Sequence, residues 1–162
     1  MDYTMIPASR YADIYGELVK EYIEELHQYD ETQVFDETLN WQASVPCTNL
    51  IVCDSHVVGF IFFGVNTDKS LPRHSFGIAE FYIRVAYRRK GLGFAVVRDL
   101  SEYWFGNIYL EILDKNFPAK AFWDHVEQEL HWERLADMSA YPHNEGCELR
   151  VYHPPVSGRL QF

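Results

Sequence analysis

Apolar residues in the first half of the chain follow two different periods. Across residues 11–27 they recur every three to four positions opposite a charged side, which predicts one long amphipathic helix that a short helix can follow. Two β-branched and aromatic runs come next, at 50–53 and 57–65. Residues 54–56 separate them with the sequence Asp-Ser-His, a composition typical of a hairpin turn. The first half is therefore predicted to form a helix and two antiparallel strands.

The second half alternates strand and helix patterns. Residues 76–85 have the composition of a strand, and from Gly91 onward the helical period returns. A short buried strand is predicted at 108–113, and Pro118 suits the first turn of a helix that runs to about Leu130. Two closing strands are predicted at 132–138 and 148–152. A loop is predicted at 67–74 and a terminal tail at 153–162.

Length and composition fit a single folded domain over residues 1–162. Of these residues 48 % are hydrophobic and 16 % aromatic, which argues against disorder. No apolar run reaches the roughly 18 residues of a membrane span, and the N-terminal residues lack the segments of a signal peptide. Three cysteines without CxxC spacing argue against a disulfide framework. We therefore expect a cytoplasmic protein that does not enter membranes.

The overall charge and one local charge have opposite signs. The formal net charge is −10 and the pI is about 5.1, so phosphodiester backbones would repel the chain and nucleic acid is not expected as a partner. Basic residues nevertheless stand together at 88–90 (Arg-Arg-Lys), which indicates one specific anionic ligand. No metal is expected, because the seven histidines include no HExxH and no paired Cys/His ligand spacing.

The segment 81–93, FYIRVAYRRKGLG, joins a strand to a helix through this basic, glycine-containing turn. Glycines let successive backbone N–H groups point into one concavity, and the following helix adds the positive end of its dipole, so the turn can hold phosphates. A P-loop does not fit, because Lys90 precedes the glycines and no Ser or Thr stands in the required place. A dinucleotide-binding fingerprint fails because Val96 occupies its third glycine position.

A different phosphate-binding pattern fits the turn. It runs Arg or Gln, two residues, Gly, one residue, Gly or Ala, after a strand that ends in a branched apolar residue. Here it is supplied by Arg88, Gly91, Gly93 and Ile83. This pattern resembles motif A of the GCN5-related N-acetyltransferases, the GNAT family.

A second motif strengthens the resemblance. Asn116, Ala119 and Phe122 match the family's pattern of Asn, two residues, Ala, two residues and an aromatic residue. The two motifs stand in the family's order and are separated by one predicted helix. The specific resemblance covers about residues 76–130.

The resemblance implies the GNAT fold, an α/β (α+β) arrangement with a mixed, mostly antiparallel sheet of about six to seven strands and about four flanking helices. In that fold the central strands splay apart and acyl-CoA enters the wedge. Its pantetheine arm would pair with strand backbone at 81–83, and the amides of 89–94 would hold the pyrophosphate. The implied acetyl-CoA ligands are Phe81, Tyr82, Ile83, Arg88, Arg89, Lys90, Gly91, Leu92, Gly93, Phe94, Asn116, Phe122 and Trp123.

Two carboxylates are candidates for the general base that an amine acceptor needs. Glu80 lies in the strand before the turn, where period-two alternation puts it on the same face as Tyr82. Glu111 lies in the following strand, where some family members carry their base. Burial would raise the pKa of either carboxyl toward a useful range. We favour Glu80, and its alternative is a structural residue that is solvated or paired with Arg84.

Two positions of the second motif also have structural alternatives. Asn116 suits a helix cap as well as a contact with the pantetheine amide. Trp123 stands where many GNAT enzymes carry a tyrosine that protonates the leaving thiolate, and an indole N–H cannot act as that acid. Trp123 is therefore a core residue or a wall of the cofactor site. Tyr82, Tyr141 or water would then supply the proton.

The sequence thus predicts an acyl-CoA-dependent N-acetyltransferase that transfers an acetyl group from acetyl-CoA to a small-molecule or peptide amine by direct attack. One alternative is a catalytically inactive CoA-binding regulatory or interaction module, favoured by Trp123 and the undecided base. Another is an interaction protein in which the glycine turn merely begins a helix. The acceptor and the oligomeric state stay open, and a homodimer agrees with the family resemblance.

Overall fold

Strands and helices follow one another in the predicted order, with one additional strand at the start. The computed structural model describes residues 2–32, 41–65, 76–104, 106–138, 141 and 143–155. The strands in these ranges are β1 (Thr4–Pro7), β2 (Thr48–Cys53), β3 (His56–Val65), β4 (Phe76–Ile83), β5 (Ile108–Leu113), β6 (Glu133–Arg134) and β7 (Cys147–His153). The α-helices there are α1 (Ala12–His27), α2 (Trp41–Ser44), α3 (Leu92–Ser101) and α4 (Phe117–Glu129).

The described strands form one seven-stranded sheet in the order β1-β2-β3-β4-β5-β7-β6. Antiparallel pairing joins β1 to β2, β2 to β3, β5 to β7 and β6 to β7, whereas β4 and β5 are parallel. In the parallel pair, Phe76 lies opposite Ile108 and Gly77 lies opposite Tyr109. The mixed, mostly antiparallel α/β sheet expected from the sequence is therefore confirmed.

Backbone contacts divide the chain into two compact units. The first consists of Met1–Gly64 and Ile78–Gly93, and the second of Val65–Gly77 and Phe94–Phe162. The first unit holds β1, β2, α1, α2 and nearly all of β3, and the second holds β5, β6, β7 and α4. The single domain over residues 1–162 stays a prediction.

Helix α1 contributes the buried face that its apolar spacing predicts. Tyr15, Leu18 and Val19 are buried and pack in one cluster with Phe60 of β3. The rings of Tyr15 and Phe60 meet edge to face with their centroids 5.1 Å apart, an arrangement that aromatic pairs prefer. Burying each large apolar side chain stabilises the fold by roughly 1.5–3 kcal/mol. This cluster is the core of the first unit.

The hairpin between β2 and β3 has a shorter turn than the sequence suggests. His56 already belongs to β3 and pairs with Cys53, so the turn consists of Asp54 and Ser55. Both have positive φ values, 48° and 66°, as a tight hairpin turn with the right twist requires. Asp tolerates this backbone region better than most residues, which accounts for its place in the turn.

The second unit is built on the antiparallel pair of β5 and β7. Ile108 and Val151 are fully buried, as is Val126 of α4. Arg150 of β7 is also buried, with 4 % of its surface exposed. Its guanidinium group donates to the Asp124 carboxylate of α4 at 2.7 Å, so this buried charge is paired and ties α4 to β7.

Several predicted boundaries are corrected by the structure. Strand β1 was missed because four residues are too few to show a period, and it is held by pairing with β2. The strand predicted at 76–85 ends at Ile83, because a 3₁₀ turn begins at Val85. The closing strand predicted at 132–138 is reduced to β6, and His153 belongs to β7. The predicted loop 67–74 and residues 156–162 of the predicted tail lie outside the described residues.

Gly59→Ala in β3 is expected to destabilise the protein. A Cβ atom at Gly59 would lie 2.2 Å from the backbone oxygen of Tyr82, so the backbone of β4 would have to move. Overpacking of this kind costs about 1–3 kcal/mol. Gly64→Ala in the same strand is the matched control, because a Cβ atom there meets no atom of the described chain within 4 Å. Urea denaturation compares the two variants, and equal midpoints would contradict the close approach.

Candidate active site

Strand β4 presents Glu80 and Tyr82 to helix α1. The Tyr22 hydroxyl donates to Glu80 Oε2 at 2.6 Å, and the Tyr82 hydroxyl donates to Glu21 Oε2 at 3.3 Å. The two β4 side chains therefore share one face, as the alternation predicts. A Glu80–Arg84 pair is not observed among the described residues. Arg84 instead donates from Nε and Nη2 to Glu21, at 3.0 and 2.7 Å.

Burial dominates the titration of the Glu80 carboxyl. Desolvation raises the pKa of Glu80 to about 7, and the hydrogen bond from Tyr22 offsets part of that rise. Burial also raises the pKa of Tyr22 well above its usual value, and the charge of Glu80 adds to this effect. Tyr22 therefore remains a hydrogen-bond donor at neutral pH. Glu80 lies close to the midpoint of its titration, where a carboxyl group can accept or release a proton.

A cavity of about 310 Å³ is lined by Glu80 together with residues of α1, α2 and β3. Its aromatic lining consists of Tyr15, Tyr22, Trp41, Phe60 and Phe62. The other lining residues are apolar or small: Val19, Ile23, Leu26, Ala43 and Ser44. A mostly apolar cavity with a few well-placed polar groups is the usual form of a small-molecule site.

Ring contacts fix the walls of this cavity. Tyr15 meets Trp41 edge to face with centroids 5.8 Å apart, and Tyr22 meets Phe60 in the same way at 5.6 Å. Gly16 leaves room for Trp41, because a Cβ atom on Gly16 would lie 3.1 Å from that ring. The cavity could not be predicted from the sequence because its walls come from separate segments. The one local signal was the spacing of Tyr15 and Tyr22, which places both on one face of α1.

Arg88 ties the turn between β4 and α3 to helix α1. Its Nε donates to the backbone oxygen of Ile83 at 2.6 Å, and its Nη1 and Nη2 donate to the Glu25 carboxylate at 2.9 and 2.5 Å. The guanidinium group also lies over the Tyr82 ring, 5.5 Å from the centroid. A two-pronged contact of this kind has a well-defined geometry. Arg88 therefore positions the turn, and Glu25 balances its charge.

The backbone after Arg88 curls as the glycine pattern predicts. Arg89 and Gly91 have φ values of 62° and 80°. Within the described part of the chain, the backbone N–H groups of Arg89, Lys90 and Gly91 donate to no backbone oxygen. Leu92 begins α3, and the first N–H groups of a helix have no partner inside it. The turn therefore presents a row of amide donors that an anion can bind.

The side chains around these amides have different environments. Arg89 and Lys90 are exposed, and Lys90 Nζ donates to the Ala86 backbone oxygen at 3.0 Å. Leu92 is buried, so its N–H is the part of it that can reach a ligand. Two further predicted ligands lie on β4, where the Phe81 side chain is half-buried and the Ile83 side chain is buried.

The other predicted ligands belong to the second unit. Asn116 is the N-cap of α4, and its Oδ1 accepts a hydrogen bond from the Ala119 N–H at 3.1 Å. Trp123 is buried and meets Phe122 edge to face, with centroids 5.0 Å apart. Phe94 packs against His125 with ring centroids 5.3 Å apart. Asn116 therefore has the capping role that the sequence suggests, and Trp123 packs in the interior.

Glu111 has a different environment from Glu80. It is exposed on β5, and its carboxylate accepts two hydrogen bonds from Asn144, at 3.0 Å from the backbone N–H and at 2.5 Å from Nδ2. These contacts fasten the turn before β7. The geometry of Glu111 therefore favours a structural role.

Three further observations describe the chemistry that the chain offers. Cys47 and Cys53 are free thiols, and Cys47 is exposed. The described ranges contain no group of three or more His, Cys, Asp or Glu residues that could hold a metal ion. None of the helices described is long and apolar enough to cross a membrane.

Solved acetyltransferase structures share this fold. A diaminobutyrate acetyltransferase from Paenibacillus lautus, in complex with its substrate L-2,4-diaminobutyric acid and coenzyme A, matches with a TM-score of 0.62 at 16 % identity, covering 94 % of this chain and 95 % of that one. A GNAT acetyltransferase from Staphylococcus aureus Mu50 matches at 0.61 and 16 % identity, covering 94 % and 99 %. A ribosomal-protein-alanine N-acetyltransferase from Brucella melitensis biovar Abortus 2308 matches at 0.59 and 14 % identity, covering 88 % and 98 %.

A sequence model of a protein family also matches the chain. The model of the acetyltransferase (GNAT) family matches residues 11–126, well over half of the 162 residues. The matched range includes helix α1, strand β4 with Glu80, the turn with its free amides and most of α4. The sequence motifs, the mixed sheet and this match agree, and the chain belongs to the GNAT family of acetyltransferases.

Proposed function

We propose that the chain is an N-acetyltransferase that transfers the acetyl group of acetyl-CoA to a primary amine by direct attack. The observation that carries the proposal is Glu80, a carboxyl group with a pKa of about 7 that lines an aromatic cavity. Membership of the GNAT family supports acetyl transfer in general. The amine is inferred from the base, because an ammonium ion must lose a proton before its nitrogen can attack.

Glu80 acts in this proposal as the general base. An acceptor ammonium group gives one proton to the Glu80 carboxylate, directly or through water, and its neutral nitrogen then attacks the thioester carbonyl carbon. The C–N bond forms while the C–S bond breaks. The nitrogen loses a second proton, the thiolate of CoA takes one up, and Glu80 returns its proton to solvent. The sum is one ammonium ion and acetyl-CoA giving an amide, a free thiol and one proton.

Acetyl-CoA supplies the activated acetyl group, and the chain offers suitable contacts for it. The curled turn supports diphosphate binding, because the described amides of residues 89–91 donate to no backbone oxygen and a helix N-terminus follows. Arg89 and Lys90 add exposed positive charge. Arg88 is proposed to act through the turn rather than on the ligand, since Glu25 already holds its guanidinium group.

The remaining proposed contacts come from strand and helix. The backbone of β4 at Phe81, Tyr82 and Ile83 is proposed to pair with the pantetheine arm. Asn116, Phe122 and Trp123 remain proposed contacts in the second unit.

The proton for the leaving thiolate is proposed to come from water. Trp123 cannot serve as an acid. Burial, followed by the charges of Glu21 and Glu25, raises the pKa of Tyr82 to about 12, which makes its hydroxyl a poor proton source for a thiolate. Neither Trp123 nor Tyr82 is therefore assigned as the acid for this step.

The first prediction concerns stability and is independent of activity. The pKa of an unperturbed glutamate is near 4.5 and that of Glu80 in the folded protein is about 7, so folding takes up a proton between these two pH values. The contribution of Glu80 to stability is thus greatest below pH 4.5 and is lost as the pH rises to about 7. Relative to Glu80→Gln, the free energy of unfolding of the wild type should fall across this window. Urea denaturation at several pH values measures it, and parallel curves would contradict the raised pKa.

The second prediction concerns turnover. Glu80→Gln should lower kcat by about 10²-fold or more, the typical contribution of a general base. The wild-type kcat/KM should rise with pH through about 7 as Glu80 ionises, and the variant should lack this limb. Glu111→Gln is the matched control and should keep turnover, because its carboxylate contacts Asn144.

The assay for this pair should follow the ultraviolet absorbance of the thioester, since the exposed Cys47 would react with a thiol reagent. Unchanged turnover in Glu80→Gln would reject Glu80 as the base. Tight CoA binding with no transfer to any amine would support the inactive CoA-binding module instead.

The third prediction concerns the turn. Arg89→Glu should raise the Kd for CoA by about tenfold or more, because a charge-assisted contact contributes about 1.5–3 kcal/mol. Arg10→Glu changes the net charge equally at another exposed position and should leave the Kd unchanged. Isothermal titration with CoA measures both. Equal weakening in the two variants would show a general charge effect and would count against the turn as the diphosphate site.

A further inference from the structure

The charges around the aromatic cavity limit what can fill it. Glu80 is the only charged residue among the described side chains that line the cavity, and no lysine, arginine or histidine is among them. A carboxylate placed there would lose its hydration without gaining a counter-ion, which is strongly unfavourable. A second ammonium group on the acceptor would likewise find no second acid among the described lining residues.

The neighbouring acidic groups do not change this conclusion. Glu21 is held by Arg84 and Glu25 by Arg88, in contacts of 2.7 Å and 2.5 Å. Glu21, Glu25 and the exposed Glu24 line a separate cavity of about 290 Å³, and none of its described lining residues also lines the aromatic cavity. A second ammonium group would have to leave the aromatic cavity to reach these acids, and at Glu21 and Glu25 it would compete with an arginine that is already in place.

The size and surface of the cavity favour a compact apolar group. Its volume of about 310 Å³ lies at the lower end of the roughly 300–1,000 Å³ that small-molecule sites span. Trp41, Phe60 and Phe62 present ring surfaces that an aromatic ring or a branched alkyl group can contact favourably. A short acceptor without such a group would leave these surfaces uncovered.

We infer that the acceptor is a primary monoamine with an apolar body, in which the ammonium group pairs with Glu80 and the body fills the space between Tyr15, Tyr22, Trp41, Phe60 and Phe62. This inference rests on the proposed function and adds the chemical class of its substrate. The aromatic walls of the cavity set the specificity, so that amino acids and polyamines are poor acceptors.

A panel of four matched amines tests the inference. Phenethylamine has one amine and one ring, L-phenylalanine adds a carboxylate, 1,4-diaminobutane replaces the ring with a second amine, and ethylamine lacks the ring. Transfer from acetyl-CoA is followed through the ultraviolet absorbance of the thioester. The kcat/KM for phenethylamine should exceed each of the other three values by about tenfold or more.

Two variants test whether the walls set this preference. Ala43→Phe adds bulk at an exposed lining position and should lower kcat/KM for phenethylamine more than for ethylamine. Trp41→Ala removes one wall and should raise KM for phenethylamine while changing KM for ethylamine little. Tyr103→Ala removes an aromatic residue that is 74 % exposed and outside the cavity lining, and it should match the wild type. Thermal unfolding of each variant checks that it is folded.

The possible failures are distinguishable. Transfer to diaminobutane or phenylalanine at a higher kcat/KM than to phenethylamine would overturn the inferred substrate class while the proposed N-acetyltransferase stands. Loss of activity in Ala43→Phe to the same extent for phenethylamine and ethylamine would also overturn it. CoA binding without transfer to any of the four amines would overturn the inference and would count against the proposed function.

Discussion

A row of polar contacts between helix α1 and strand β4 fixes the arrangement on which the site depends. Glu21 and Glu25 are one helical turn apart on α1, and they hold Arg84 and Arg88, which have the same spacing beyond β4. Exposed ion pairs usually contribute little to stability. These pairs are partly buried, however, and Arg88 also binds the backbone oxygen of Ile83 and lies over Tyr82. Their main effect is therefore positional.

This arrangement separates the arginine that positions the turn from the groups available to an anion, which the sequence alone does not distinguish. The basic run at 88–90 suggests three positive side chains for one anion, yet Arg88 is occupied by Glu25. The proposed anion binding of the turn then relies mainly on backbone amides and the helix dipole, which pH does not titrate. Glu25 on α1 thus positions the turn that is proposed to bind the diphosphate.

Local patterns in the sequence predicted the elements whose signal lies within one segment. The period of α1, the bounds of β5 at Ile108–Leu113 and the two family motifs were all recognisable in this way. Strand β1 was not, because its four residues acquire their conformation from pairing with β2 rather than from a pattern of their own. Glu80 was found as a candidate acid because alternation along β4 is a local property.

The environment of Glu80 could not be predicted from any one segment of the sequence. Its hydrogen-bond partner Tyr22 is 58 positions away in sequence, and Trp41 and Phe60 come from two further segments. The raised pKa of Glu80 and the shape of the cavity both result from bringing these segments together. Tertiary packing, rather than residue type, distinguishes Glu80 from Glu111, which is also a glutamate but is exposed.

The cap of helix α4 restricts how Asn116 can address a ligand. Its Oδ1 receives the Ala119 amide, so exchanging oxygen and nitrogen by a flip of the side-chain amide would break the cap. The cap therefore fixes which end of the side-chain amide is the donor: Nδ2, which carries hydrogens and cannot accept, points away from the Ala119 amide. A bound carbonyl oxygen would have to be recognised by Nδ2, whereas a bound N–H would have to share Oδ1 with the helix, and this division is set by the start of the helix before any ligand arrives.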